Sequence, residues 1–122
     1  LEFRRVLFRS VRLVASQSGA RLWRNNVGAG TLQNGRYIRW GLANDSTALN
    51  KAIKSGDLIG INPVLITPEH VGRTLGVFCS REIKREGWRY NPNNARERAQ
   101  QAWIDLVLSL GGDAAFTTGD WP

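Results

Sequence analysis

Histidine and cysteine are nearly missing from this chain: His70 and Cys79 each stand alone among 122 residues. A single cysteine rules out an intrachain disulfide and a cysteine cluster for zinc. A histidine-based metal centre or a Ser-His-Asp triad would rest entirely on His70, which sits in a Pro-Glu-His turn, without an evident partner, at the expected surface. No apolar run approaches the roughly 18 residues a membrane helix needs. There are no internal repeats and no low-complexity linker, and the length suits one domain around one core. What the chain has is positive charge. Seventeen lysines and arginines against ten acidic residues give +7, which favours a polyanionic partner, either nucleic acid or an acidic surface. The 42% hydrophobic and 22% charged residues are ordinary for a soluble globular domain.

The two ends need separate treatment. Leu1–Ser10, LEFRRVLFRS, resembles the translation of a sequencing-library adapter joined to a gene fragment, with Leu7-Phe8-Arg9-Ser10 encoded by such an adapter end in one frame. The expectation is that residues 1–10 are non-native and that 11–122 form the domain; the other reading is a genuine basic first helix turn. Leaving out Arg4, Arg5, Arg9 and Glu2 removes three positive charges and one negative, which lowers the net charge from +7 to +5. The closing Thr117–Pro122 also reads as a fragment edge.

Leu7, Val11, Val14 and Ala15 recur at helical spacing, and Gly19 suits the stop after a helix ending near Ser18. Arg21–Val27 reads as a strand, and Gly28, Gly30, Asn34 and Gly35 as a turn. Tyr37–Leu42 reads as a second strand that could pair with the first. A short helical turn fits Thr47–Lys54, a third strand Asp57–Ile61, and a turn Thr67–Glu69. Leu75–Lys84 is apolar on both faces up to Arg81, the pattern of a strand central in its sheet. Asn94 with Glu97 three residues later suits a helix start. Ala95, Ala99, Trp103, Leu106, Val107 and Leu110 form its buried stripe, Gly111-Gly112 its stop, and Ala114–Thr117 a last strand. The expected fold is α/β in the order α-β-β-β-α-β.

Glu82 and Lys84 lie two apart on a strand and leave the same face. An isolated Glu-x-Lys is most often the solvated end of a strand. Here two neighbours weigh against that. Asp57 opens its own apolar strand after Ser55-Gly56; if that strand lies beside Leu75–Lys84, Asp57 and Glu82 meet near the strand ends. Two carboxylates at such a distance repel unless a cation joins them, and Mg²⁺ takes oxygen ligands while keeping waters. Gln100 lies at the margin of the helical stripe, about 40° from Ile104, whereas Gln101 points nearly opposite Leu110. A glutamine at an apolar margin must find a hydrogen-bond partner, as a loop tether or as part of a site.

These segments together, Ser55-Gly56-Asp57-Leu58-Ile59-Gly60, Ile66-Thr67-Pro68-Glu69-His70-Val71-Gly72, Glu82-Ile83-Lys84 and Gln100-Gln101-Ala102-Trp103-Ile104-Asp105, resemble the VRR-NUC family. That family is a branch of the PD-(D/E)XK nuclease superfamily and includes small stand-alone phage proteins. Arg24-Asn25-Asn26-Val27-Gly28 and Gly35-Arg36-Tyr37 are similar to its N-terminal half, and the resemblance runs from about Val11 to Phe116. It implies a restriction-endonuclease-like core, with a central mixed sheet of about four to five strands flanked by helices. It also implies a metal-dependent DNA endonuclease, structure-selective, in phage or bacterial DNA replication or repair. Asp57, Glu82 and the backbone carbonyl of Ile83 would bind Mg²⁺ or Mn²⁺. Lys84 would hold or polarise the attacking water and offset phosphate charge, and Gln100 would orient Lys84 or the water. The family often adds a glutamate in the first helix, where this chain has only Glu2, in the adapter-like stretch.

DNA, branched or flapped, is then the expected partner, with no membrane association, a dimer possible, and a cytoplasmic location in a bacterial host if phage-encoded. Arg24, Asn25, Asn26, Arg36, Arg39 and Arg85, interleaved with aromatic residues, are the expected nucleic-acid contacts. Trp23, Trp40 and Trp103 are expected in the core, with Cys79 a small core hydrophobe. The alternatives are a non-catalytic DNA-binding module and a Holliday-junction resolvase of the same superfamily.

Overall fold

Among the described residues three helices are interspersed with six short strands, which makes the protein mixed α/β as expected. The computed structural model describes residues 2–121. In chain order it contains α1 (Glu2–Gln17), β1 (Arg21–Arg24), β2 (Gly28–Thr31), β3 (Tyr37–Trp40), α2 (Thr47–Ala52), β4 (Leu58–Ile61), a 3-10 turn (Pro68–His70), β5 (Cys79–Ile83), α3 (Ala95–Ser109) and β6 (Asp113–Thr117). The chain divides into two units, Leu1–Gly60 and Ile61–Pro122. Among the described residues, no helix is long and apolar enough to cross a membrane.

In the first unit α1 ends where Gly19 adopts a φ of +88°, a left-handed conformation that glycine takes without steric cost. The Ala20 amide donates back to Ala15 O at 2.9 Å, and Arg12 Nε reaches from the helix to Leu22 O at 3.1 Å, so α1 is tied to β1. The expected strand Arg21–Val27 splits. Its start pairs with β4, and the expected turn glycines Gly28 and Gly30 lie in β2, which pairs antiparallel with β3. The split falls at Asn25, whose amide donates to Asp57 O at 2.9 Å. Its side chain holds Ser55 Oγ and Gly56 O at 2.8 and 2.9 Å. That clamp commits β1 to β4 and leaves the hairpin to β2 and β3.

Trp40, expected in the core, is 46% exposed. Its cross-strand partner is Gly28, and the indole occupies the space a Cβ on Gly28 would take. An aromatic ring lying over a strand glycine substitutes for the missing side chain, so Trp40 is half covered by backbone rather than by a core. Asn44 takes the buried place instead. Its Nδ2 donates to Gly28 O (2.7 Å) and Trp40 O (2.9 Å), and its Oδ1 accepts from Arg39 (3.1 Å).

The second unit is built on β5 and β6, which run parallel with Ser80 opposite Ala114, Glu82 opposite Phe116 and Ile83 opposite Thr117. Parallel neighbours need a crossover connection, and α3 supplies it. Asn94 caps α3 by accepting the Glu97 amide at 3.0 Å. The Glu97 carboxylate accepts from the Asn91 amide at 2.9 Å, so the reciprocal half of the box lands on the preceding turn. At the far end the Gly112 amide donates to Val107 O at 2.9 Å. Ile104, Val107 and Ala114 are buried, Val107 completely, and burying an aliphatic side chain of this size contributes about 1.5–3 kcal/mol.

Several expectations give way here. The described strands form three two-stranded sheets, where one sheet of four to five was expected. β5 is five residues long and has one partner. Leu75, Val77 and Ile83 are 48%, 58% and 76% exposed, so of the apolar run that looked like a central strand only Cys79–Ile83 is strand, and residues 75–78 before it are irregular. Cys79 is exposed, because it alternates with the side of β5 that faces α3. Ala95 and Ala99 of the expected stripe are exposed too. His70 is half-buried, with its Nδ1 accepting from the Thr67 amide at 3.0 Å; it closes the 3-10 turn on itself.

Gly60 separates close approach from mere flexibility. A Cβ there would collide with the Arg21 carbonyl oxygen and the Leu22 backbone, which cannot swing aside, whereas at Gly28 the obstacle is the Trp40 ring. Gly60→Ala is therefore expected to destabilise the protein by about 1–3 kcal/mol, and Gly28→Ala by less. Thermal unfolding of the two variants checks the order.

Candidate functional site

Strand alternation and helix periodicity meet on one face of the second unit. Ser80 and Glu82 project from the same side of β5, and Lys84, the residue directly after it, continues that alternation, while Gln100 and Trp103 lie three apart on α3, so they share a face of the helix. Trp103 Nε1 donates to Ser80 Oγ at 2.9 Å, which fixes the helix against the strand at one end. One turn earlier Gln100 stands between the two charges. Lys84 Nζ donates to Gln100 Oε1 at 2.7 Å, and Gln100 Nε2 donates to Glu82 Oε1 in a short hydrogen bond. The carbonyl end of the amide meets the cation and the NH₂ end meets the anion; turned the other way, both contacts would be repulsive. Glu82, Lys84 and Gln100 are all half-buried, and hydrogen bonds to ionised partners in such surroundings are stronger than neutral ones. The expectation that Gln100 rather than Gln101 belongs with this pair holds. Gln101 bonds to Asp105 on the helix surface, at 2.9 Å.

The backbone under the pair is fixed by the ladder. The Lys84 amide donates to Thr117 O at 2.8 Å, one step beyond the last paired residues of β5 and β6. Phe116, opposite Glu82, and Trp88 bring their rings beside the Lys84 ammonium, at 5.8 and 5.5 Å from Nζ. Phe116 was missed from the sequence, although the register that places it can be drawn once β6 is known to run parallel to β5.

Asp57 lies in the first unit, just before β4. The sheet that would have set it beside Glu82 does not form, since β4 pairs with β1 and β5 with β6. Asp57 is exposed and, with Arg24, Asn25, Asn26 and Ser55, lines a pocket of about 230 Å³. Three of the expected nucleic-acid contacts thus surround the expected carboxylate. Asn25 has a structural duty in the clamp described above, and Arg24 lies 5.1 Å over the Phe8 ring.

Arg36 and Arg39 line a different, open groove of about 690 Å³ along β3. Arg39 is bound to Asn44 and, in a short hydrogen bond, to Thr47 Oγ1, so its guanidinium is part of the hairpin's own structure. Arg85 is exposed and follows Lys84 directly. The Glu2 side chain lies outside the described part.

A hard divalent cation takes oxygen ligands, and Glu82 is suited to one on its own geometry. Gln100 engages Oε1, and no described residue bonds to Oε2, so one carboxylate oxygen is available. Among the described residues no three His, Cys, Asp or Glu side chains cluster.

No family model, curated protein or solved structure matched the chain. What the site can do is therefore argued from its own groups. A half-buried ammonium, carboxylate and amide, held on adjoining regular elements, can bind and orient an anion and a water molecule.

Gln100→Leu keeps the size of the side chain but removes both bonds. Hydrogen bonds to charged groups contribute about 1.5–3 kcal/mol each, less when partly solvated, so this variant is expected to lose about 1–3 kcal/mol. Gln101→Leu should change stability by less than about 0.5 kcal/mol. Urea unfolding of both variants measures the difference.

Proposed function

We propose that the protein is a metal-dependent DNA nuclease that hydrolyses phosphodiester bonds by attack of water. The observation that carries this reading is the Glu82–Gln100–Lys84 chain of hydrogen bonds. It gathers a carboxylate, an ammonium and an orienting amide in the sequence order that resembles the VRR-NUC family. On this reading the two units contain the helices and strands of a restriction-endonuclease-like core. Glu82 and the Ile83 carbonyl in the second unit, and Asp57 in the first, would each offer oxygen ligands to Mg²⁺ or Mn²⁺, which would supply positive charge to the scissile phosphate.

The chain's own groups do the rest. Lys84 offers N–H donors and positive charge to a phosphate oxygen or to the attacking water, at a position set by the Gln100 carbonyl. Gln100 keeps Lys84 and Glu82 from collapsing into a direct ion pair, which leaves each free to act on substrate. Arg24, Asn26, Arg36 and Arg85, with the net positive charge of the chain, would contact the phosphate backbone and add salt-dependent affinity. Branched or flapped DNA is the substrate class this reading favours, in the cytoplasm of a bacterial host.

Removing a preorganised electrostatic group typically costs 10²–10³-fold in kcat. Lys84→Ala, Glu82→Gln and Asp57→Ala are each expected to lower Mg²⁺-dependent cleavage of flap and four-way-junction DNA by about that factor, and EDTA to abolish it. Wild-type rates in all three variants would sink the proposal. Tight DNA binding in EDTA with no cleavage in Mg²⁺ would point to a binding module instead.

A further inference from the structure

Trp88 and Phe116 face Lys84 at 5.5 and 5.8 Å from Nζ to the ring centroids, within the range where a cation is attracted to the negative face of an aromatic ring. The two rings touch, with centroids 4.7 Å apart and planes tilted by 41°. Tyr90 packs against both, at 6.5 Å from Trp88 and 6.0 Å from Phe116. Resting on the nuclease reading of the site, we propose that Trp88 and Phe116 are positioning residues for Lys84. They form an aromatic cradle that, with Gln100, holds the ammonium in the one place where it can meet a phosphate oxygen or a water molecule.

Three features of the chain build this cradle. Phe116 is delivered by strand register, opposite Glu82 and therefore on the face that carries Lys84. Trp88 is delivered by a tight turn. The Trp88 amide donates to Arg85 O at 3.1 Å, and Gly87 takes a φ of +81°, as the third residue of a type II turn requires. The chain thus folds back directly after Lys84 and returns an indole to it within four residues. The third feature is a cost the structure tolerates. Trp88 Nε1 is buried and has no hydrogen-bond partner among the described residues, which is unfavourable for a donor. The indole is therefore placed for its face and not for its N–H.

The cradle completes the environment of the ammonium. Among the described residues, Gln100 Oε1 is its one hydrogen-bond acceptor. An ammonium has three donors, so two remain for substrate or water. A flexible lysine would lose rotamer freedom on every encounter; the rings remove that loss beforehand.

The variants separate ring face from N–H. Trp88→Phe keeps a face and discards the unpaired donor, whereas Trp88→Leu keeps apolar bulk and discards the face. In lysine-labelled NMR spectra of the whole chain, the Lys84 side-chain methylene next to Nζ should lie upfield of its Lys51 counterpart because of ring currents. It should stay there in Trp88→Phe and move toward Lys51 in Trp88→Leu and Phe116→Leu. With flap DNA and Mg²⁺, Trp88→Leu should lower kcat on the order of tenfold with KM little changed, and Trp88→Phe should restore most of the loss. An unshifted Lys84 methylene in the wild type overturns the cradle, as does full activity of Trp88→Leu beside an active wild type. If the wild type cuts no DNA, the nuclease reading fails, and the resonance alone decides whether the rings hold the lysine. If Trp88→Leu does not fold, the wild-type and Phe116→Leu spectra still decide.

Discussion

A carboxylate on β5 and an ammonium just past its end face a helix, and the second unit is organised around satisfying them there. Charge taken even partly out of water is unfavourable unless it is paired or hydrogen-bonded. Gln100 answers both charges with a single amide, Trp88 and Phe116 answer the cation again, and the Lys84 amide closes the backbone onto β6. The Gln100 contacts are available only if α3 lies across the parallel pair in one register. The Trp103–Ser80 hydrogen bond and the buried Ile104 and Val107 set that register. A shift of one residue along β5 would turn Glu82 and Lys84 away from the helix and bring Arg81 and Ile83 inward.

Much of this half was legible because it follows short periods. The two-residue spacing of Glu82 and Lys84 and the helical angle of Gln100 depend only on geometry along one element, and both came through. So did the Asn94 start, the Gly19 stop and the mixed α/β class. What failed depends on which strand meets which. Asp57–Ile61 and Leu75–Lys84 looked like sheet neighbours because both are apolar and both carry an acid near an end. Nothing local to either segment records that Asn25 clamps β1 to the chain just before β4.

Burial failed for a related reason. Leu75, Val77 and Ile83 have core-like side chains, yet they lie exposed, while the polar Asn44 is buried because three neighbours use its amide. Side-chain character predicts burial only where there is another layer to bury against. The Trp40 ring, spread over a glycine strand, shows the same point from the other side. Arg39 looked available for function and turns out to be engaged in holding its own hairpin, and His70, expected at the surface without a partner, closes its own turn.

The parallel pairing of β5 and β6 through α3 also bears on how the protein reaches this state. Lys84, Gln100 and Phe116 are separated by intervals of only 16 residues, and the entropy lost in closing a loop grows slowly with its length. A strand, a capped helix and the next strand in succession form a structure of low contact order, the kind that assembles quickly. The Lys84–Gln100–Glu82 arrangement can therefore form early, from one continuous stretch of chain. The charged groups would then be engaged while the more distant pairings, such as β1 with β4, are still being sought.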